Sequence, residues 1–225
     1  LTLANYDFAT FDANGWDSYW NSVEMALGAA VAGTALMFTG AWLNEKTRGF
    51  HAMRGLVQFL AFLPMAVPGL VLGLGYIFFF NGVNNPLNFL YATMAILVIN
   101  TVAHFYTVGH LTATTALKQI DPEFESVSAS LKVPIWRTFF RVTVPICLPA
   151  VLDIAIYLFV NAMTTVSAVI FLYSADTKLM SINAINTDDA GNTATACAMG
   201  IIIVVTSAAM KGVQSLISRG LERRT

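Results

Sequence analysis

Charge is what this sequence has least of. Asp, Glu, Lys and Arg make up 11% of its 225 residues, against roughly a quarter in soluble domains, which places the chain outside the soluble class. Cysteine is nearly absent. Cys147 and Cys197 form no CxxC pair and have no His close by in sequence, so a disulfide framework and a zinc site are both excluded. Both read as small apolar core residues. No Lys or Arg precedes Lys46, and the head of the chain carries Asp7, Asp12, Asp17 and Glu24 instead.

Catalytic constellations are missing too. His51 lies in a basic loop, and the spacing of His104 and His110 does not put both on one helix face. They read as interface or hydrogen-bonded helix histidines. No nucleophile–base pair and no carboxylate pair stands out, so the chain is expected to perform no catalysis of its own. The stretch GAWLNEKT, Gly40 to Thr47, nearly spells a nucleotide-binding loop. Glu45 stands where the second Gly belongs, and no strand precedes it. A carboxylate there repels phosphate, so any ATP must be bound by another polypeptide. No cofactor, metal or nucleic-acid signal is present.

What the chain has instead is oil: 56% hydrophobic residues and a mean hydropathy of +0.66. Five windows are long and apolar enough to cross a bilayer, which takes about 17–25 residues. They are Met25 to Trp42, Leu56 to Phe80, Leu87 to Val108, Ile146 to Tyr173 and Ala194 to Met210. One such window could be a buried core helix, but hardly all of them. The fold class is all-α: a polytopic membrane helical bundle with about five transmembrane helices.

Basic residues accumulate in cytoplasmic loops. Lys46, Arg48 and Arg54 fall between the first two windows. Lys118, Lys132, Arg137 and Arg141 fall between the third and fourth, and Lys211, Arg219, Arg223 and Arg224 follow the fifth. Lys178 alone lies in an alternate loop, beside Asp176, Asp188 and Asp189. The expected topology is N-terminus outside, C-terminus inside. Trp16, Tyr19, Trp20 and Trp42 flank the first window as interfacial aromatics. An outside N-terminus with no signal peptide and no initiator Met implies that an upstream span is missing, or that this is the second half of a longer chain.

The inner loop from Glu125 to Val151, ESVSASLKVPIWRTFFRVTVPICLPAV, is too long for a turn. Asp121 is placed to cap a helix, Pro122 suits its first position, and Glu123 and Glu125 favour its positive end. Phe124, Val127, Ser128 and Leu131 then share one face. Pro134 ends that helix and starts another, with Trp136, Phe139, Phe140 and Thr143 as its apolar face and Arg137 and Arg141 on a different one. Two short surface helices of this kind either rest on lipid headgroups or dock on a protein. The residues leave both open.

This loop resembles the EAA loop of the permease subunits of binding-protein-dependent, ATP-driven type I importers. Glu125 stands at the family's Glu, and Ser126 and Val127 stand at its two Ala. Lys132 replaces its Gly, and Leu148-Pro149 match the closing Leu-Pro. Loss of that Gly removes the residue best suited to a left-handed turn, which bears on the shape of the turn. FLPMAVPGLVLGLGY, Phe62 to Tyr76, is similar to the Pro- and Gly-broken second span of a subgroup handling ferric iron, thiamine, polyamines and phosphonates.

The resemblance covers roughly residues 18 to 220 and implies a MetI-like permease domain. It places a periplasmic lead-in at 1–18, the transmembrane domain at 19–215 and a cytoplasmic tail at 216–225. It implies coupling to an ATPase through Asp121, Glu125, Ser126, Val127, Ala129, Leu131, Lys132 and Pro134, with Glu125 facing a basic group of that ATPase. The implied partners are a cytoplasmic ATP-binding subunit, a periplasmic solute-binding protein and a second permease half in the bacterial inner membrane. Two stretches, HFYTVGHLTATTALKQIDPEFESVSASLKVP and DIAIYLFVNAMTTVSAVIFLYSADTKL, resemble permeases for 2-aminoethylphosphonate, the expected cargo. Ferric iron, thiamine and polyamine are the alternatives.

Inside the fourth window, Asp153, Asn161, Thr164, Thr165 and Ser167 are polar at or near hydrocarbon depth, where such groups suggest function. Asp153, Asn161, Thr164 and Ser167 lie close to one helix face. They either line a passage for a polar solute or hydrogen-bond between helices. An ion-driven secondary transporter, with Asp153 as its coupling group, and a membrane scaffold are the rivals to an importer. No inverted internal repeat is evident to favour the first of these.

Overall fold

A computed structural model describes residues 4–8, 15–46, 51–82 and 84–222, apart from the side chains of residues 4, 51, 52, 221 and 222. Asp12, Thr47, Arg48, Arg223, Arg224 and the side chain of His51 therefore lie outside the described residues. The regular elements among those described are all helical. They are α1 Gly15–Lys46, α2 His51–Ala66, α3 Gly69–Phe80, α4 Met94–His104 and α5 Tyr106–Lys118. There follow α6 Glu123–Ser130, α7 Ile135–Ile146, α8 Leu148–Thr164, α9 Met180–Asp189 and α10 Thr193–Glu222.

Helices α1 and α10 are each long and apolar enough to cross a membrane alone. The pairs α2–α3, α4–α5 and α7–α8 bring the number of spans to as many as five, with bends of 108°, 57° and 75°. Each bend has a local cause. Pro68 has no N–H to continue α2 and sits extended at φ −57°, ψ 139°. Phe105 and Cys147 leave the helical region at ψ 9° and 8°. After Cys147, Pro149 lies in the first turn of α8, where its missing donor does no harm.

The third and fourth windows need correcting. Residues 84–93 are turns and one short 3-10 helix, Asn88–Leu90, so the third span begins at Met94 rather than Leu87 and runs on to Lys118. The fourth helix stops at Thr164, not Tyr173, because Thr165 turns extended at φ −67°, ψ 138°. The β-branched run Thr164-Thr165-Val166 is poor at holding a helix. Non-helical backbone at membrane depth is tolerated only where its polar groups find partners, and neighbouring side chains supply them. Ser181 Oγ donates to the Thr165 carbonyl at 2.8 Å, and Asn100 Nδ2 donates to the Ala168 carbonyl at 2.6 Å. The fifth helix runs well past Met210, to Glu222.

The core gathers Met25 and Met37 of α1, Ile96 and Leu97 of α4, Leu117 of α5, and Ile154, Leu158 and Met163 of α8. Helix α1 packs against α5 and, most extensively, along α8. Gly33 permits the second contact: a Cβ there would stand 2.6 Å from Leu158 Cδ1 and 3.0 Å from Val102 Cγ2. Cys147 is buried, as expected, whereas Cys197 is exposed on α10 and is no core residue. At the end of the bundle near the start of α1, Ser22 Oγ accepts the Met180 N–H at 2.8 Å. There Asn21 Nδ2 also donates to the carbonyls of Asp176 and Lys178.

Candidate functional site

At the opposite end, α6 and α7 form an elbow against the close of α1. Asp121 Oδ1 accepts the Glu123 N–H at 2.9 Å, which satisfies an otherwise unpartnered donor of the first turn. The Ser126 and Ser130 hydroxyls fold back onto the carbonyls of Pro122 (3.2 Å) and Ser126 (2.9 Å). With those hydroxyls occupied, Phe124 (48% exposed), Val127 (57%) and Leu131 (70%) face outward as an apolar stripe. No residue of α6 is buried.

The helix closes in a Schellman turn. The Val133 N–H reaches the Ser128 carbonyl at 2.9 Å, and the Lys132 N–H reaches that of Ala129 at 3.0 Å. Lys132 takes the left-handed conformation, φ +53°. The shape customary for Gly is thus kept, and Lys132 bears its strain. Pro134, extended at ψ 136°, then redirects the chain into α7.

The apolar face expected for α7 is split. Phe139 is buried, with its ring centroid 4.5 Å from that of Trp42 and 6.0 Å from that of Phe38. Thr138 and Thr143 are buried beside it. Trp136 and Phe140 are exposed, and the Arg137 guanidinium carbon lies 5.1 Å from the Trp136 ring centroid. The cause is the π-helical turn Phe139–Thr143. Its wider winding rotates the face relative to a regular helix.

Glu125, half-buried, has a base beside it within the chain. Its Oε1 lies 2.7 Å from Lys46 Nζ at the end of α1, and the side chains are 39% and 13% exposed respectively. Alongside, Glu45 Oε1 lies 3.8 Å from Lys118 Nζ. A concavity of about 320 Å³ between α1, α6 and α7 is lined by Lys46, Glu125, Ser128, Ala129, Val133, Ile135 and Thr138. The expected coupling residues Asp121, Glu125, Ser126, Val127, Ala129, Leu131, Lys132 and Pro134 therefore sit together on one elbow. Lys46 joins them from a distant part of the chain.

The expected passage residues do not share one fate. Asn161 Nδ2 donates to its own helix at Tyr157 O (2.7 Å), and Thr164 Oγ1 donates to Val160 O (3.1 Å). Neither bond crosses to another helix, and Thr164 is exposed. Thr165 is buried, and its carbonyl is engaged by Ser181. Ser167 lies beyond the helix end and shares no helical face with Thr164. Asp153 accepts from Gln214 Nε2 of α10, and Gln214 Oε1 in turn accepts from Lys211 Nζ at 2.6 Å. For Asp153 the interhelical hydrogen-bond reading is the one observed.

Lys46 and Gln214 were invisible as partners in the sequence. The available signals were a base closing one helix and an acid in the first turn of another, and a Gln set one turn after Lys211 in an apolar helix.

The fold is shared with solved transporters. A bacterial ABC transporter involved in the import of alginate aligns at TM-score 0.82 and 13% identity, over 97% of this chain and 84% of the other. An inward-facing methionine ABC transporter aligns at TM-score 0.75 and 13% identity, over 94% and 98%. By sequence, a putative ferric transport system permease protein of Haemophilus influenzae is 36% identical over 81% of this chain and 28% of its own length. A ferric transport system permease protein of Actinobacillus pleuropneumoniae is 34% identical over 91% and 30%. The chain thus spans less than a third of the length of these two relatives. A putative 2-aminoethylphosphonate transport system permease protein of Salmonella typhi is 26% identical over 84% and 70%. With the profile described as binding-protein-dependent transport system inner membrane component matching residues 37–223, the chain belongs to that family of multi-pass inner membrane proteins.

Proposed function

We propose that this chain is a permease subunit of an ATP-driven importer and that α6 is the element on which a cytoplasmic ATP-binding subunit docks. The apolar stripe Phe124, Val127 and Leu131, presented on a helix with no buried residue, carries this reading. Such a stripe is stabilised by being covered. Lipid is a poor cover for α6, because surface-lying membrane helices are rich in Lys and Arg whereas α6 and its cap carry Asp121, Glu123 and Glu125. Exposed Trp136 and Phe140 with Arg137 and Arg141 suit α7 to the headgroup layer instead.

In this reading, nucleotide-driven closure of two ATP-binding subunits shifts two paired permease halves between inward- and outward-open states. A periplasmic solute-binding protein supplies the cargo at the acidic end, and Asn161 and Thr164 line the passage. The N-terminus lies outside and the C-terminus inside, with 1–18 as lead-in, 19–215 as transmembrane domain and 216–225 as tail. An ion-coupled mechanism through Asp153 has less support, since Gln214 already engages that carboxylate.

Val127→Asp tests the docking role. It places an unpaired charge in the apolar contact, and the chain should still insert while losing a copurifying ATP-binding subunit. Full retention of that subunit refutes docking through α6.

For cargo, ferric iron takes precedence over 2-aminoethylphosphonate, because the ferric relatives share 36% and 34% identity against 26%. The second reading is kept by the larger share, 70%, of the aminophosphonate relative that is covered. Uptake of radiolabelled ferric iron and of 2-aminoethylphosphonate, in cells with and without the gene, separates the two.

A further inference from the structure

We propose that Lys46 is a positioning residue for the docking elbow. The Lys46–Glu125 pair acts as a strut that carries displacement of α6 into the first span. The inference rests on the docking role of α6 proposed above.

Helix α6 has little else to hold it to the bundle. None of its residues is buried, and its serine hydroxyls bond within the helix or to Pro122 just before it. Among the described residues, the ion pair with Lys46 is the one it makes. At 2.7 Å, and with the Lys46 side chain only 13% exposed, the pair is both close and partly shielded from water. Shielding of this kind weakens screening.

Lys46 closes a helix that is itself tightly seated. Gly33 brings α1 against Leu158 of α8 and Val102 of α4. Trp42 and Phe38, about one and two turns before Lys46, pack on Phe139 of α7. Neighbouring Glu45 approaches Lys118 at the end of α5 and, through its carbonyl, receives a hydrogen bond from Arg54 Nη2 at 3.5 Å. A push on α6 therefore has two routes into the membrane. One is covalent, through Pro134 and α7 into α8. The other is electrostatic, through Glu125 and Lys46 into α1 and the helices packed on it.

The test uses the complex of this chain with its ATP-binding subunit in lipid nanodiscs, with Cys147 and Cys197 replaced by Ala. The reporter is Thr39→Cys on the exposed side of α1. Its rate of modification by a maleimide is measured without nucleotide and with ATP plus vanadate, normalised to the ATP-binding subunit recovered. The expected result is a nucleotide-dependent change of about fivefold or more, the scale of an ordinary coupling free energy. Lys46→Met and Glu125→Gln should each abolish it, and Lys46→Arg should keep it. The charge swap Lys46→Glu with Glu125→Lys should restore it, because the pair is rebuilt with reversed polarity.

Persistence of the change in Lys46→Met overturns the strut, as does its absence in the parent complex. Failure of the swap, with the ATP-binding subunit lost, overturns it in favour of Glu125 contacting the partner directly. A parent complex that holds no ATP-binding subunit at all instead refutes the docking role itself.

Discussion

Replacing Asn100 by Leu removes one hydrogen bond and little else. Asn100 is fully buried in α4, and its amide donates to the Ala168 carbonyl across 68 residues of chain. Leu has a similar volume, so the cavity term is small. The Ala168 carbonyl oxygen is packed so closely on Gly73 that a Cβ there would lie 2.7 Å away, which leaves no room on that side for water to replace the amide. An abandoned buried acceptor costs about 1–3 kcal/mol, whereas interhelical hydrogen bonds measured in membranes average about 0.6 and reach about 1.7 kcal/mol. Among the described residues Asn100 Oδ1 has no partner, and its removal returns part of that cost. The net loss should be about 1 kcal/mol. Titration with SDS in mixed micelles, followed by tryptophan fluorescence, reads this as a lower unfolding midpoint. Thr115→Val, which removes a bond within α5 to Leu111, serves as the control and should move it less. An Asn100→Leu protein as stable as its parent refutes the idea that the 165–173 segment is held by this side chain.

Lys132→Gly should relieve the left-handed strain at φ +53°, worth roughly 1–2 kcal/mol, against about 0.5–1 kcal/mol of glycine's extra chain entropy. Slower hydrogen exchange at the Val133 amide, by about twofold, checks the net gain of about 0.5 kcal/mol, and faster exchange contradicts it. Cys197, exposed on α10 near its start, should react with an impermeant thiol reagent from the outer side, while buried Cys147 resists from both. Labelling of Cys197 from the cytoplasmic side alone reverses the proposed orientation.

Much of the fold was legible because the bilayer simplifies the code. Long uncharged runs mark spans, and Pro68 and Pro134 mark where helices end. The elbow was legible for the same local reasons: Asp121 and Pro122 start α6, and Phe124, Val127 and Leu131 recur at helical spacing. What could not be read was pairing over distance. Nothing near Glu125 in sequence announces Lys46, and Asp153 gives no sign of Gln214. The overlong fourth window failed for a different reason. Hydropathy from Ile146 to Tyr173 reports burial in oil, and a non-helical stretch capped by Asn100 and Ser181 is just as oily as a helix.

Helix α6 is only 8 residues long, about 12 Å of rise, and isolated helices shorter than about 12–15 residues are marginal in water. A peptide copied from residues 121–132 should therefore be mostly unstructured and a weak competitor for whatever α6 binds. The elbow acquires its shape from Lys46, Phe38 and Trp42, which come from the first span, and from Pro134 and the turn at Lys132. Its recognition surface thus comes into being only once α1, α6 and α7 have met. A cell gains an order of assembly from this: a half-folded chain offers no finished helix to the energy-supplying machinery, so fuel cannot be engaged before the gate is built.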